Sequence, residues 1–122
     1  MLGEAIYSLL KTTYPKTFPV RAAQETPTPY LVYKFISNVP EDIKDGASEL
    51  DTYRLQLTCY ADTYRECHTI LEDIRTNILD RYRGVVAGVN IDKIIFSNEI
   101  DLFENESEFH QLDHDYIIRV KR

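Results

Sequence analysis

Apolar residues recur at helical spacing at Leu2, Ala5, Ile6, Leu9 and Leu10, which predicts a helix over 2–13. Pro15 ends it, because a residue before proline avoids helical dihedrals. Residues 16–28 carry Pro19 and Pro27 around Val20 and Ala22, so a short extended piece and a loop are expected there. Proline cannot donate to a strand ladder, which confines any strand in this segment to an edge. Residues 30–36 are aromatic and β-branched and predict a strand covered at least partly on both faces. Residues 38–47, with Pro40 and Gly46, predict a loop. Over 52–60 the pattern alternates. Tyr53, Leu55, Leu57 and Cys59 face one way, and Thr52, Arg54, Gln56 and Thr58 the other, as in a half-buried antiparallel strand.

Thr63 and Glu66 have the spacing of a capping box. Cys67, Ile70, Leu71, Ile74 and Ile78 follow as one stripe, predicting a helix over 64–82 that stops at Gly84. Residues 91–98 predict a strand with Ile94, Phe96, Asp92 and Asn98 on one face. Residues 109–120 predict a last strand with Leu112, Tyr116, Ile118 and Val120 on one face. The order helix, extended piece, two strands, helix, two strands implies an α+β fold. It is a mostly antiparallel four- to five-stranded sheet with two helices packed on one face. The chain has 122 residues, the length of one domain spanning 1–122.

Composition narrows the class. The chain is 43% hydrophobic and 28% charged, close to globular averages. No apolar run approaches the ~20 residues of a membrane-spanning helix, and no export signal is evident at the start. Two cysteines make no disulfide framework and fit a cytosolic folding compartment. Net charge is −6, and half of the 20 acidic residues fall in two stretches. One holds Glu41, Asp42, Asp45, Glu49 and Asp51, the other Glu99, Asp101, Glu104, Glu106 and Glu108. Such charge repels phosphate backbones. Solvated loops are the plain alternative to a functional surface.

Catalytic and cofactor motifs are missing from the sequence. The four glycines form neither a dinucleotide fingerprint nor a phosphate loop, and no nucleophile elbow occurs. His110 and His114, flanked by Asp113 and Asp115, would be metal-ligand neighbours on a helix. In a strand they lie ~13 Å apart, too far for one ion, so a polar, solvated strand end is expected and no metal. His68 beside the second helix's stripe is expected to be a boundary residue. The nine tyrosines suit either a core rim or a protein interface. No enzyme and no cofactor are expected.

Several segments resemble the tail-completion (tail-terminator) proteins of long-tailed bacteriophages. They are the opening Leu2, Ala5, Ile6, Tyr7, Leu9 and Leu10; then Pro29, Tyr30, Val32 and Tyr33, followed by Ile36 and Ser37; and above all Leu55-Gln56-Leu57-x-Cys59-Tyr60-Ala61-x-Thr63-Tyr64, a strand running into a capped helix. Ile74-Arg75 and Asp115-Tyr116 also agree. The resemblance implies a non-enzymatic virion protein that caps the tail tube and forms the head–tail joining interface. It implies a ring of this chain, a hexamer, with the major tail tube protein and a head-completion or connector protein as partners. Its place would be the head-proximal end of the tail, after assembly in the host cytoplasm. No membrane partner is implied, and no nucleic acid beyond DNA passing through the bore. Two roles are open for the charges: Glu41, Asp42, Asp45, Asp101, Glu104 and Glu106 meet Arg75, Arg81 and Arg83 of the next subunit, or the acidic residues line the bore. The alternatives are a connector subunit, a small ligand-binding α+β domain, or a nucleic-acid module on a similar sheet.

Overall fold

A computed structural model describes residues 2–19, 27–43, 46–104 and 109–121, and over 37–43, 46–50, 101–104 and 109 the course of the backbone alone. The first stripe winds into α1 (Leu2–Leu10), burying Leu2, Ala5, Ile6 and Leu10. A turn then leads to β1 (Thr17–Pro19), β2 (Tyr30–Ile43), β3 (Gly46–Ala61), α2 (Tyr64–Ile74), a π-helical turn (Arg75–Leu79), β4 (Gly84–Val86), β5 (Val89–Glu104) and β6 (Phe109–Lys121). Among the described residues the sheet has six strands, in the order β1-β2-β3-β6-β5-β4, and of these only β1 pairs in parallel, with β2. The α+β, mostly antiparallel expectation therefore holds, but the strand number is six. β1 is the short edge strand expected at the start of 16–28, and β4 is a three-residue edge that alternation is too short to reveal. The expected position of Val20 and Ala22 lies outside the described residues.

One core joins both helices to one face of the sheet. It contains Ala5, Ile6 and Leu10 of α1, Cys67, Leu71 and Ile74 of α2, and Leu31, Tyr33, Leu55, Leu57, Cys59, Ile94, Leu112, Tyr116 and Ile118 of the strands. Both cysteines are buried and neither is in a disulfide. Leu31, Val32 and Tyr33 are all buried, as the unbroken apolar run of β2 implies.

The N-terminus of α2 is capped as the sequence suggests: the Thr63 hydroxyl accepts from the Glu66 amide at 3.1 Å. Its far end departs from expectation. Regular helix stops at Ile74, and the Asp80 amide bonds Arg75 O, five residues back, at 3.1 Å. Widening the turn moves the inward position from Ile78 to Leu79, which is fully buried. Asp80 then turns extended. Its carboxylate accepts from the Phe96 amide at 3.0 Å, and the Arg81 amide donates to Ile94 O at 2.7 Å. The helix end is thus stitched to β5 well before Gly84.

β5 carries two register shifts, at Ile91/Lys93 and Phe96/Asn98. They correct the expected face. Opposite Val120, Ile118, Tyr116 and His114 stand Ile91, Ile94, Phe96 and Glu99, so Asp92 and Asn98 are displaced from the stripe. Of residues 38–47, expected to be a loop, 38–43 and 46–47 instead extend β2 and β3. Pro40 pairs with Asp51 next to a shift at Pro40/Asp42, on a stretch that β1 no longer pairs, which is where a ladder tolerates proline.

Candidate functional site

The acidic residues singled out in the sequence lie on two hairpins. Glu41 and Asp42 belong to β2, and Asp101 and Glu104 to β5; Asp45 and Glu106 lie outside the described residues. Both stretches are largely strand rather than loop. They are also held apart. Leu50 of β3 pairs with Lys121 at the end of β6, and Ala61 pairs with His110 at its beginning. The β2–β3 hairpin therefore runs past the end of β6, while the β5–β6 hairpin turns at the opposite end of the sheet. The two acidic segments do not form one patch within a subunit.

The three arginines differ in their engagement. Arg75 lies over the Phe96 ring, 3.7 Å from its centroid, with Nη1 3.7 Å from Glu72 Oε1. It serves its own chain. Arg81 and Arg83 are exposed, and Arg81 adopts a positive φ of 64°.

A second surface escaped the sequence reading. α1, β1 and β2 enclose an open apolar groove of about 1010 Å³. Leu2, Tyr7, Phe18, Phe35, Ile36 and Tyr53 are among its lining residues, and Glu4 and Lys34 are the charged ones among the described residues. Tyr7 and Ile36 are 38% and 49% exposed. β1 pairs with 31–33, and among the described residues nothing pairs with the outer edge of β2 alongside this groove from residue 34 on. Aromatic clustering around 30–36 and Tyr53 was a signal for it, but alternation alone does not say that one apolar face stays uncovered.

The polar strand end expected in β6 is buried. Asp113, His114 and Asp115 are 3%, 0% and 6% exposed. His114 belongs to the helix-facing row Leu112, His114, Tyr116, so its burial was visible in the alternation. Its Nε2 lies 2.8 Å from Glu99 Oε1. Asp113 and Asp115 face the other side, where the amides of Gln56 and Gln111 donate to Asp113 at 3.3 and 3.4 Å. Burial pushes the Asp115 carboxyl above its ordinary range, Asp113 adds repulsion, and Arg54 and His114 oppose both. His110 and His114 are both in β6, so the pair has strand rather than helical spacing.

Fold and surface together define a small α+β protein whose distinctive features, among the described residues, are open strand edges, long hairpins and an apolar groove. The sequence matches the model of the family "Tail completion protein gp17" over residues 4–121. The chain belongs to this phage tail completion family, and a structural role in virion assembly follows. Its fold is similar to that of a chain in the virion of a native gene transfer agent particle, with a TM-score of 0.77, 12% identity, and 99% and 95% of the two chains covered. A second solved chain matches with a TM-score of 0.69, 13% identity and coverage of 99% and 94%. No curated protein matches the sequence.

Proposed function

We propose that this protein is a non-enzymatic subunit that caps the phage tail tube and forms the head–tail joining interface. The observation that carries the reading is the family match over nearly the whole chain, together with a fold shared with a chain of a phage-like particle. Copies of the chain form a ring, a hexamer, at the head-proximal end of the tail. The tail tube protein lies on one side of that ring and a head-completion or connector protein on the other.

A ring requires heterologous contacts, in which one surface meets a different surface of the neighbour. The apolar groove suits a neighbouring copy. The outer edge of β2, unpaired from residue 34 on among the described residues, borders it, so an incoming strand can add main-chain hydrogen bonds to apolar contact. The exposed Arg81 and Arg83 are available to acidic residues of another copy, whereas Arg75 is occupied. The acidic hairpins, at opposite ends of the sheet, suit axial neighbours or a bore through which DNA slides without sticking.

The groove also gives the ligand-binding alternative its one specific support, since pockets of this volume accept small molecules. Its open form, with Glu4 and Lys34 the charged lining residues among those described, favours a protein segment.

The test is electron microscopy of particles assembled without this gene. Filled heads beside unjoined or overlong tails are expected. Tails of normal length beside heads that fail to keep their DNA would move the protein to the connector. Normal virions would overturn the assembly reading.

A further inference from the structure

Where α2 crosses the β5–β6 ladder, four chemistry-bearing side chains converge. His68 and Glu72 stand one helical turn apart on α2, with Glu99 of β5 opposite. One ligand atom from each of the three lies within 4.8 Å of the others. Glu99 Oε1 is 3.8 Å from His68 Nδ1 and 2.8 Å from His114 Nε2. His114 lies beneath, fully buried, with no hydrogen-bond partner for its Nδ1. Phe96 packs edge-on against its ring, with centroids 5.0 Å apart. Tyr64 stacks on His68, 6.0 Å between centroids at 14°.

We infer that His68, Glu72 and Glu99 form a binding site for a divalent zinc-type cation. One imidazole nitrogen and two carboxylates are a mixed donor set of the kind that zinc takes, with a fourth position left for water or a partner's ligand. Tetrahedral ligands at zinc distances lie ~3.4 Å from one another, so the three groups need to close by about 1 Å. His68 and Glu72, exposed on one helix face, have the freedom to do so. The buried His114 fixes the Glu99 carboxylate from behind, as hydrogen-bonded groups orient metal ligands. The charge at the site favours a cation: Glu72 and Glu99 meet there, and among the described residues Arg75, 3.7 Å from Glu72 Oε1, is the one Lys or Arg paired with them. This is not the His110/His114 pair of the sequence, whose members share a strand. The metal-ligand spacing is instead the i, i+4 step of α2, completed by a residue from β5. A bound ion would staple α2 to the strand that leads into the second acidic hairpin.

The site is tested by titrating the full-length chain, freed of metal by chelator, with zinc chloride by calorimetry. Magnesium chloride serves as a control. One zinc ion per chain is expected, and Mg²⁺ should not compete. His68→Ala and Glu99→Gln should each weaken zinc binding at least ~10-fold, with far-UV circular dichroism unchanged, and His110→Ala should leave it as in the parent. Cobalt(II) bound to the unmutated chain should give the intense visible band of a low-coordinate site, independent of how any variant folds. Absence of a one-to-one complex, or His68→Ala and Glu99→Gln variants that bind zinc like the parent, would overturn the assignment. Neither result bears on the tail-completion role.

Discussion

Asp115 and Tyr14 show opposite consequences of placing a polar group at the edge of a core. Asp115 has a buried Oδ1 with no hydrogen-bond partner, and burial holds its carboxyl in the neutral form to a higher pH than usual. Because the folded value is raised, this group favours the fold fully below the ordinary carboxylate range. That contribution is lost as pH rises through the raised value. Asp115→Asn should therefore raise the melting temperature at neutral pH, with the gain shrinking as the pH falls into the carboxylate range. Thermal melts across pH measure it, and a variant less stable at every pH would contradict it. Asp73 is the reverse. Tyr14 O–H and Asn77 donate to its carboxylate, and these bonds lower its pKa. The stability they add is present above the ordinary value and is lost as pH falls through the depressed one. Tyr14→Phe should cost about 1 kcal/mol at neutral pH, and less in acid, by denaturant unfolding. Neither partner of the Tyr14–Asp73 bond could be singled out from the sequence, since 59 residues separate them. His114 was legible in principle. The alternation of β6 places it on the apolar row, and only its polarity argues against burial.

At the level of elements, the strongly periodic segments were readable. The stripes of α1, α2, β3 and β6 are packing faces, and packing is what periodicity reports. What escaped has a local cause in each instance. The π-helical turn changes the helical period by a residue, so Leu79 replaces Ile78 inside. The two shifts in β5 change the parity of a strand, so no single alternation runs through it. The strands over 38–43 and 46–49 continue a ladder that residues 30–36 and 52–60 begin, and have no apolar pattern of their own. β4 and β5 are joined by a two-residue turn in which Ala87 and Gly88 both have positive φ, 49° and 78°, the geometry of a type I′ hairpin. Alanine is costly there and glycine is not. Ala87→Gly should stabilise the fold by roughly 0.5–1 kcal/mol, read from the denaturation midpoint. A loss would mean that the turn tolerates alanine for another reason.

For the whole molecule, the surface proposed to meet a neighbouring copy was the least legible part. A sequence pattern distinguishes apolar from polar faces but not covered from uncovered ones, so Phe35 and Ile36 read as part of a strand covered at least partly on both faces. Ile36→Asp puts a charge into the groove at a half-exposed position. It should change stability by less than ~1 kcal/mol and abolish ring formation, checked by sedimentation of the pure chain and by its incorporation into tails. Normal incorporation would remove the groove from the interface. The acidic residues present the converse difficulty: composition revealed the two clusters, and only strand register showed that they point away from each other.

That opposition has a consequence for how such a subunit is placed. The β2–β3 hairpin overshoots β6, whereas the β5–β6 hairpin turns where β3 hands over to α2, so the two ends of the sheet are unlike in length and in bulge pattern. If the proposed ring closes with the strands along its axis, its top differs from its bottom. It then threads onto a tube in only one orientation, and the next component to arrive meets a defined face without needing any further signal of direction.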